Sequence, residues 1–171
     1  MNRDWAILKK LLIESNIVTL ICDNQLSKVQ FLSNILMFRR SQNRISIYLD
    51  IDTNFTIFLE DNHDSPNINN LFIFRIKEKN LNDVVADISS IGSSSVDTIV
   101  FDSVSTFYSF KNDNITSSNQ NRRLGVYLSL LQVVMARSNG VIILTSMTRA
   151  RKRQDDDSWY FSYAGGRLLR K

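Results

Sequence analysis

Short, almost wholly apolar runs alternate along this chain with segments whose apolar residues recur at helical spacing. Asp4 to Ser15 carries Trp5, Leu8, Leu11 and Leu12 in a helical pattern, and Ser15-Asn16 stops it. Five β-rich runs follow, at Ile17–Cys22, Ile45–Leu49, Leu71–Ile76, Thr98–Phe101 and Val141–Thr145. They are too uniformly apolar to keep one face in water, which predicts strands covered on both sides in a parallel sheet. Helical patterns lie between them at about Lys28–Phe38, Asn80–Ile91 and Arg122–Ser138. This alternation predicts a doubly wound α/β domain with right-handed crossovers. Two polar stretches, Lys111–Asn121 and Arg149–Ser158, read as mobile loops. With no repeat and no domain-sized linker, residues 1–171 read as a single domain.

Composition narrows the function classes only modestly. At 171 residues and 43% hydrophobic, the chain suits one domain that buries most of its apolar surface. A formal charge of +4 permits an anionic partner without requiring one, so the placement of the charge matters more than its sum. Cys22 is the single cysteine, which excludes an internal disulfide framework and points to a reducing cytoplasm. The start, MNRDWAILKKLLIESN, carries too many charges for a signal peptide, and no run of about 20 apolar residues is present to span a bilayer. A soluble protein with no membrane partner is expected. His63 stands in EDNHDSPN without a second histidine or a cysteine nearby, so no metal site is expected there.

The candidate chemistry begins at Ile17 to Phe31, IVTLICDNQLSKVQF, which has the layout of a phosphate-binding strand, loop and helix. A working loop reads G-x-x-x-x-G-K-[ST], because its glycines admit phosphates to backbone N–H groups, its lysine reaches the outer phosphates and its hydroxyl ligates Mg²⁺. Here Cys22 and Ser27 replace the glycines, Lys28 survives, and Val29 replaces the hydroxyl. VDTIVFDS, Val96 to Ser103, is an apolar strand that ends in an acid, as used to bring a carboxylate to a nucleotide's Mg²⁺. YLDIDTNF, Tyr48 to Phe55, sends two acids off another strand, and GVIILTSM, Gly140 to Met147, ends a buried strand in hydroxyl residues.

In order and spacing these four segments resemble the RecA/RadA recombinase family, particularly the archaeal RadA paralogs of the RadB and KaiC-like group. The family's GSGKTQL is matched in register by Leu26-Ser27-Lys28-Val29-Gln30-Phe31, and its YIDTEGTF by Tyr48 to Phe55. Its strand ending in DS is matched by Asp102-Ser103, its TNQ by Thr145-Ser146-Met147, and its later GG by Gly165-Gly166. The resemblance implies a three-layer RecA-like P-loop NTPase core with a mostly parallel central sheet, truncated at the C-terminus. It also implies that Val141–Thr145 lies between Ile17–Cys22 and Thr98–Phe101, with Asp102 close to Lys28. Against the family's catalytic glutamate stands Asp52, and against its γ-phosphate-sensing glutamine stands Met147.

With the glycines, the metal hydroxyl, the glutamate and the glutamine all altered, Asp52, Asp102 and Met147 are expected to be vestigial and no nucleotide cofactor is expected. The resemblance then implies a non-catalytic recombinase paralog that binds a RadA-type recombinase or another paralog, single-stranded DNA, or both. A weak ATPase using Lys28, Asp52 and Asp102, and a KaiC-like regulatory subunit that does not touch DNA, are the alternatives. The segment Arg149 to Lys171 falls where the family's second DNA-binding loop lies. There Arg149, Arg151, Lys152, Arg153 and Arg167 offer charge to phosphates and Trp159 offers a stacking face. The competing reading of the same segment is a solvated loop in which Asp155–Asp157 pair with the basic run, followed by an aromatic closing strand.

Overall fold

The computed structural model describes residues 10–40, 44–61, 70–91, 96–110, 116–152 and 159–163. After a helical turn at residues 10–14, the chain forms β1 (Ile17–Cys22), α1 (Gln25–Arg40), β2 (Ile45–Asp50), α2 (Asn54–Asp61), β3 (Leu71–Arg75) and α3 (Leu81–Ser90). It continues through β4 (Val96–Asp102), α4 (Val104–Phe107), α5 (Ser117–Ala136), β5 (Val141–Lys152) and β6 (Trp159–Tyr163). The strand order is β1-β5-β4-β2-β3, every neighbouring pair on that path is parallel, and β6 pairs antiparallel with β5. The expected placement of Val141–Thr145 between the first and fourth predicted strands is therefore met.

Burial follows the two-residue period of the strands. Ile47 and Leu49 of β2, Ile99 and Phe101 of β4, and Ile142 and Leu144 of β5 join one core with α3, α4 and α5. Tyr48, Val100, Val141 and Ile143 point the other way, into a second core with Leu12, Phe55 and the Val29, Leu32, Ile35, Leu36 face of α1. All seven residues of β4 are buried because helices cover both faces of it. At the amino edge of the sheet Arg39, buried at the end of α1, sets its Nε 2.6 Å from Asp97 Oδ2 and 3.0 Å from Thr98 Oγ1. The turn from α5 into β5 passes so close to that strand that a Cβ on Gly140 would lie 2.7 Å from the Asp97 carbonyl oxygen.

Three elements depart from the sequence reading. The helix α2 was not expected, since the segment reads as a strand end and a motif. Its eight residues are anchored by Phe55, which is fully buried and stacks on Tyr48 at a 4.1 Å centroid distance. The helix α5 starts at Ser117, inside the stretch expected to be mobile, because Thr116 accepts a hydrogen bond from the Asn119 amide and closes the first turn. β5 runs on through Arg149 to Lys152, which were expected in a loop, because β6 supplies cross-strand partners from Thr148↔Tyr163 to Lys152↔Trp159. No helix among the described residues is long and apolar enough to cross a membrane.

Candidate functional site

The site lies at the carboxyl edge of the sheet, where β1, β4 and β2 end and β5 runs past them at Thr145 to Met147. A parallel sheet gathers these strand ends because every crossover returns the chain to the opposite edge. The turn after β1 is short: β1 ends at Cys22 and α1 begins at Gln25. Asn24 caps that helix with both of its oxygens. Its side chain accepts from the Ser27 amide at 3.0 Å, and its backbone carbonyl accepts from the Lys28 amide at 3.0 Å. Without glycines to hold a wide loop open, helix formation extends back through Gln25, Leu26 and Ser27. The Ser27 amide, of the kind that a phosphate cradle presents to its ligand, is bonded within the chain.

Lys28 points into the sheet edge, with its side chain at 0% exposure. Its Nζ donates to Asp52 Oδ2 at 2.6 Å and to Asp102 Oδ1 at 2.6 Å. Asp102 also accepts from Tyr48 Oη at 2.5 Å and from the Thr145 hydroxyl, so α1, β2 and β5 converge on one carboxylate. Asp52 accepts in addition from Gln25 Nε2 at 3.0 Å and from the Asn54 amide at 3.2 Å. Asp50, fully buried beside them, accepts from the Thr56 amide at 2.9 Å and from the Thr56 hydroxyl on one oxygen, while its Oδ1 has no hydrogen-bond partner. Between Asp52 and Asn54, Thr53 holds a left-handed φ of 64°.

Three carboxylates against one ammonium give the cluster an excess affinity for protons. Burial pushes Asp102 up from the usual carboxylate range, with Lys28 opposing it and Asp52 adding to it. Burial likewise raises Asp50, against the hydrogen bonds from Thr56. For Lys28, burial alone would favour the neutral amine, but Asp102 and Asp52 outweigh it and hold the ammonium charged, above the ordinary lysine value. Tyr48 is driven well up by burial next to Asp102. Cys22, half-buried at the end of β1, is raised by burial more than Lys28 lowers it, so its thiol stays protonated. Asp50, Asp52 and Asp102 bring ligand oxygens within 4.8 Å of one another, but the Lys28 ammonium already bridges two of the three.

No family model and no curated protein sequence matches this chain. Among solved structures, the crystal structure of the RadB recombinase matches with a TM-score of 0.60 at 12% identity, over 89% of this chain and 69% of that one. The chain folds as RadB does. At that identity the likeness carries the RecA-like architecture and no more, so the chemistry has to be argued from the residues themselves.

On this fold, the residues expected at the nucleotide position do come together. Cys22 ends β1, Ser27, Lys28 and Val29 lie at the start of α1, and Asp52 and Asp102 both touch Lys28. Val29 is buried in the core rather than aimed at the loop. Met147 pairs in register with Cys22, and its amide donates to Ser105 Oγ at 2.8 Å. The partners that hold the cluster, Tyr48, Thr145, Gln25 and Thr56, escaped sequence reasoning. Thr145 and Tyr48 fall inside segments already singled out, but nothing local shows that they face Asp102. Of the residues expected at DNA, Arg149 is exposed and lies in β5 opposite Ser162; Arg151 and Lys152 continue β5, opposite Tyr160 and Trp159. Arg153, Arg167, Gly165-Gly166 and His63 lie outside the described residues.

Proposed function

We propose that this protein is a non-catalytic RecA-fold recombinase paralog that assists homologous recombination and DNA repair by binding a RadA-type recombinase, single-stranded DNA, or both, with no nucleotide cofactor. The observation that carries the first half of this reading is the position of Lys28. A lysine that serves a nucleotide must present its ammonium to phosphate oxygens, whereas this one is fully enclosed and spent on Asp52 and Asp102. Asn24 bonds the Ser27 amide, and Val29 has no oxygen to offer Mg²⁺. Both oxygens of Asp52 are engaged, Oδ2 by Lys28 and Gln25 and Oδ1 by the Asn54 amide, which sets it against serving as a base for water. The likeness to RadB supports the second half, together with Arg149, exposed in β5, and the backbone pairing of Arg149 to Lys152 with the aromatic strand Trp159–Tyr163.

The test is calorimetric titration with ATP-Mg²⁺. No binding tighter than about millimolar and no hydrolysis above background are expected, since both the cradle and the metal hydroxyl are missing. A micromolar dissociation constant that Lys28→Ala abolishes would establish the alternative, a weak ATPase that opens the Lys28–Asp102 pair to bind. If neither ATP nor single-stranded DNA binds, a KaiC-like regulatory subunit becomes the better reading.

A further inference from the structure

The helix α5 buries one face in the core, with Leu124, Leu131 and Val134 at 0% exposure. Beside that face it presents a second apolar stripe, Val126, Leu130 and Val133, exposed to 51%, 40% and 53%. The spacing i, i+4, i+7 places these three side chains in one line along about 10 Å of helix. The line borders α3, and three contacts fix how the helices lie. Tyr127 Oη donates to Asn82, Arg123 reaches Glu78 at 3.8 Å just before α3, and Arg137 donates to the Ile91 carbonyl just after it, at 3.3 Å. The two helices therefore run side by side in the same direction. On the α3 side the facing positions are Asn82 and, one turn on, Ala86, both small. The result is a shallow apolar groove between two helices, on the sheet face opposite α1.

At its amino end the groove deepens into a cleft of about 330 Å³ lined by Asn82, Asn119, Arg122, Arg123, Val126 and Tyr127. Arg122 is exposed and, among the described residues, makes no hydrogen bond or ion pair. Arg137 stands at the far end. An apolar floor with guanidinium groups at both ends is complementary to an apolar ligand with negative ends. It is not complementary to itself: antiparallel pairing of two copies along this stripe would set Arg122 of one against Arg137 of the other.

We propose that the α3–α5 groove is a docking site for an amphipathic helix of another protein, with apolar residues on Val126, Leu130 and Val133 and carboxylates at the Arg122–Arg123 cleft and at Arg137. This is the helix-in-groove mode, read by anchors one and two turns apart. Arginine suits it because its planar fork binds a carboxylate through two parallel hydrogen bonds. The site lies across the sheet from α1 and does not depend on whether the Lys28 cluster admits a nucleotide.

The test uses fluorescence anisotropy with the whole protein and three labelled peptides. One is an amphipathic helix with leucine at i, i+4 and i+7 flanked by glutamates, the second replaces every glutamate by lysine, and the third scrambles the first. The glutamate peptide alone should bind. Leu130→Asp should weaken that binding by about tenfold or more, and Arg122→Glu by about fivefold with a flatter salt dependence. Both positions are exposed, so unchanged thermal unfolding is expected, and Val133→Glu gives a second variant should Leu130→Asp misfold. Equal binding of the lysine and glutamate peptides, or affinity untouched by Leu130→Asp and Val133→Glu, would overturn the proposal. So would a dimer by light scattering that Leu130→Asp dissolves, since a second copy would then cover the groove. Loss of oligonucleotide binding in Arg122→Glu, with no peptide bound, would reassign the cleft to nucleic acid.

Discussion

Replacing Lys28 with methionine keeps the length of the side chain and removes its charge, which separates a structural lysine from one kept for a ligand. In the native chain the ammonium lies 2.6 Å from a carboxylate oxygen of Asp52 and 2.6 Å from one of Asp102, all within the sheet edge. Removing one member of a buried ion pair leaves its partner charged and desolvated, at a cost of about 3–5 kcal/mol. Here two partners are stranded and Asp50 sits beside them, so the upper part of that range applies. With a urea slope of about 2 kcal/mol/M, the unfolding midpoint should fall by roughly 2 M. The pH dependence carries a sign. Lys28 is held above the ordinary value of 10.5, so its contribution is complete below 10.5 and is lost as pH rises through the raised value. In Lys28→Met the penalty should be large at pH 7 and shrink toward pH 4, as Asp102, already raised by its burial, takes up a proton. Asp102→Asn added to Lys28→Met should recover a good part of the loss, because it removes the deepest stranded charge. A midpoint shift below about 0.5 M, or a loss that does not vary between pH 7 and pH 4, would refute the account and indicate a lysine held loosely enough to meet a phosphate.

Asp50 is raised above the ordinary 3.8, so its stability contribution is greatest below that pH and declines as pH rises through the shifted value. Asp50→Asn should accordingly stabilise by about 1 kcal/mol at pH 7, raising the melting temperature by about 2–4 °C, with little gain at pH 4. A destabilised variant at pH 7 would show that Asp50 is needed ionised. Thr53, at φ 64°, is a β-branched residue in left-handed backbone. Thr53→Gly should gain roughly 0.5–1 kcal/mol where Thr53→Ala gains nothing, and equal effects of the two in thermal melts would rule strain out. For DNA, the logarithm of affinity for single strands should fall linearly with the logarithm of salt, by about 0.7 per phosphate neutralised. Alanine at Arg149, Arg151, Lys152 and Arg153 together should flatten that slope, whereas Trp159→Ala should weaken binding and leave it nearly unchanged; full affinity in the fourfold variant would exclude this hairpin.

What the chain determined by itself is the alternation of elements. The uniformly apolar runs from Ile17 to Thr145 and the helical patterns between them disclose a two-sided parallel sheet, because both periods are local properties of the backbone. The closeness of Asp102 to Lys28 came from the resemblance to the RecA/RadA family, and it is met because the end of β4 and the start of α1 share the carboxyl edge of the sheet. The helix α2 and the first turn of α5 were not legible, because the first depends on Phe55 finding Tyr48 across the core and the second on a single threonine cap. The extension of β5 was hidden for a similar reason: Arg149 to Lys152 read as a charged loop, and only their pairing with the aromatic strand that follows makes them a strand. Tertiary structure alone decided the state of the candidate site. Whether Lys28 reaches outward to a ligand or inward to Asp52 and Asp102 depends on how far back α1 winds and on what Tyr48, Gln25 and Thr145 place around it. A motif fixes which groups are present, and only their burial and mutual distances fix which of them are already satisfied.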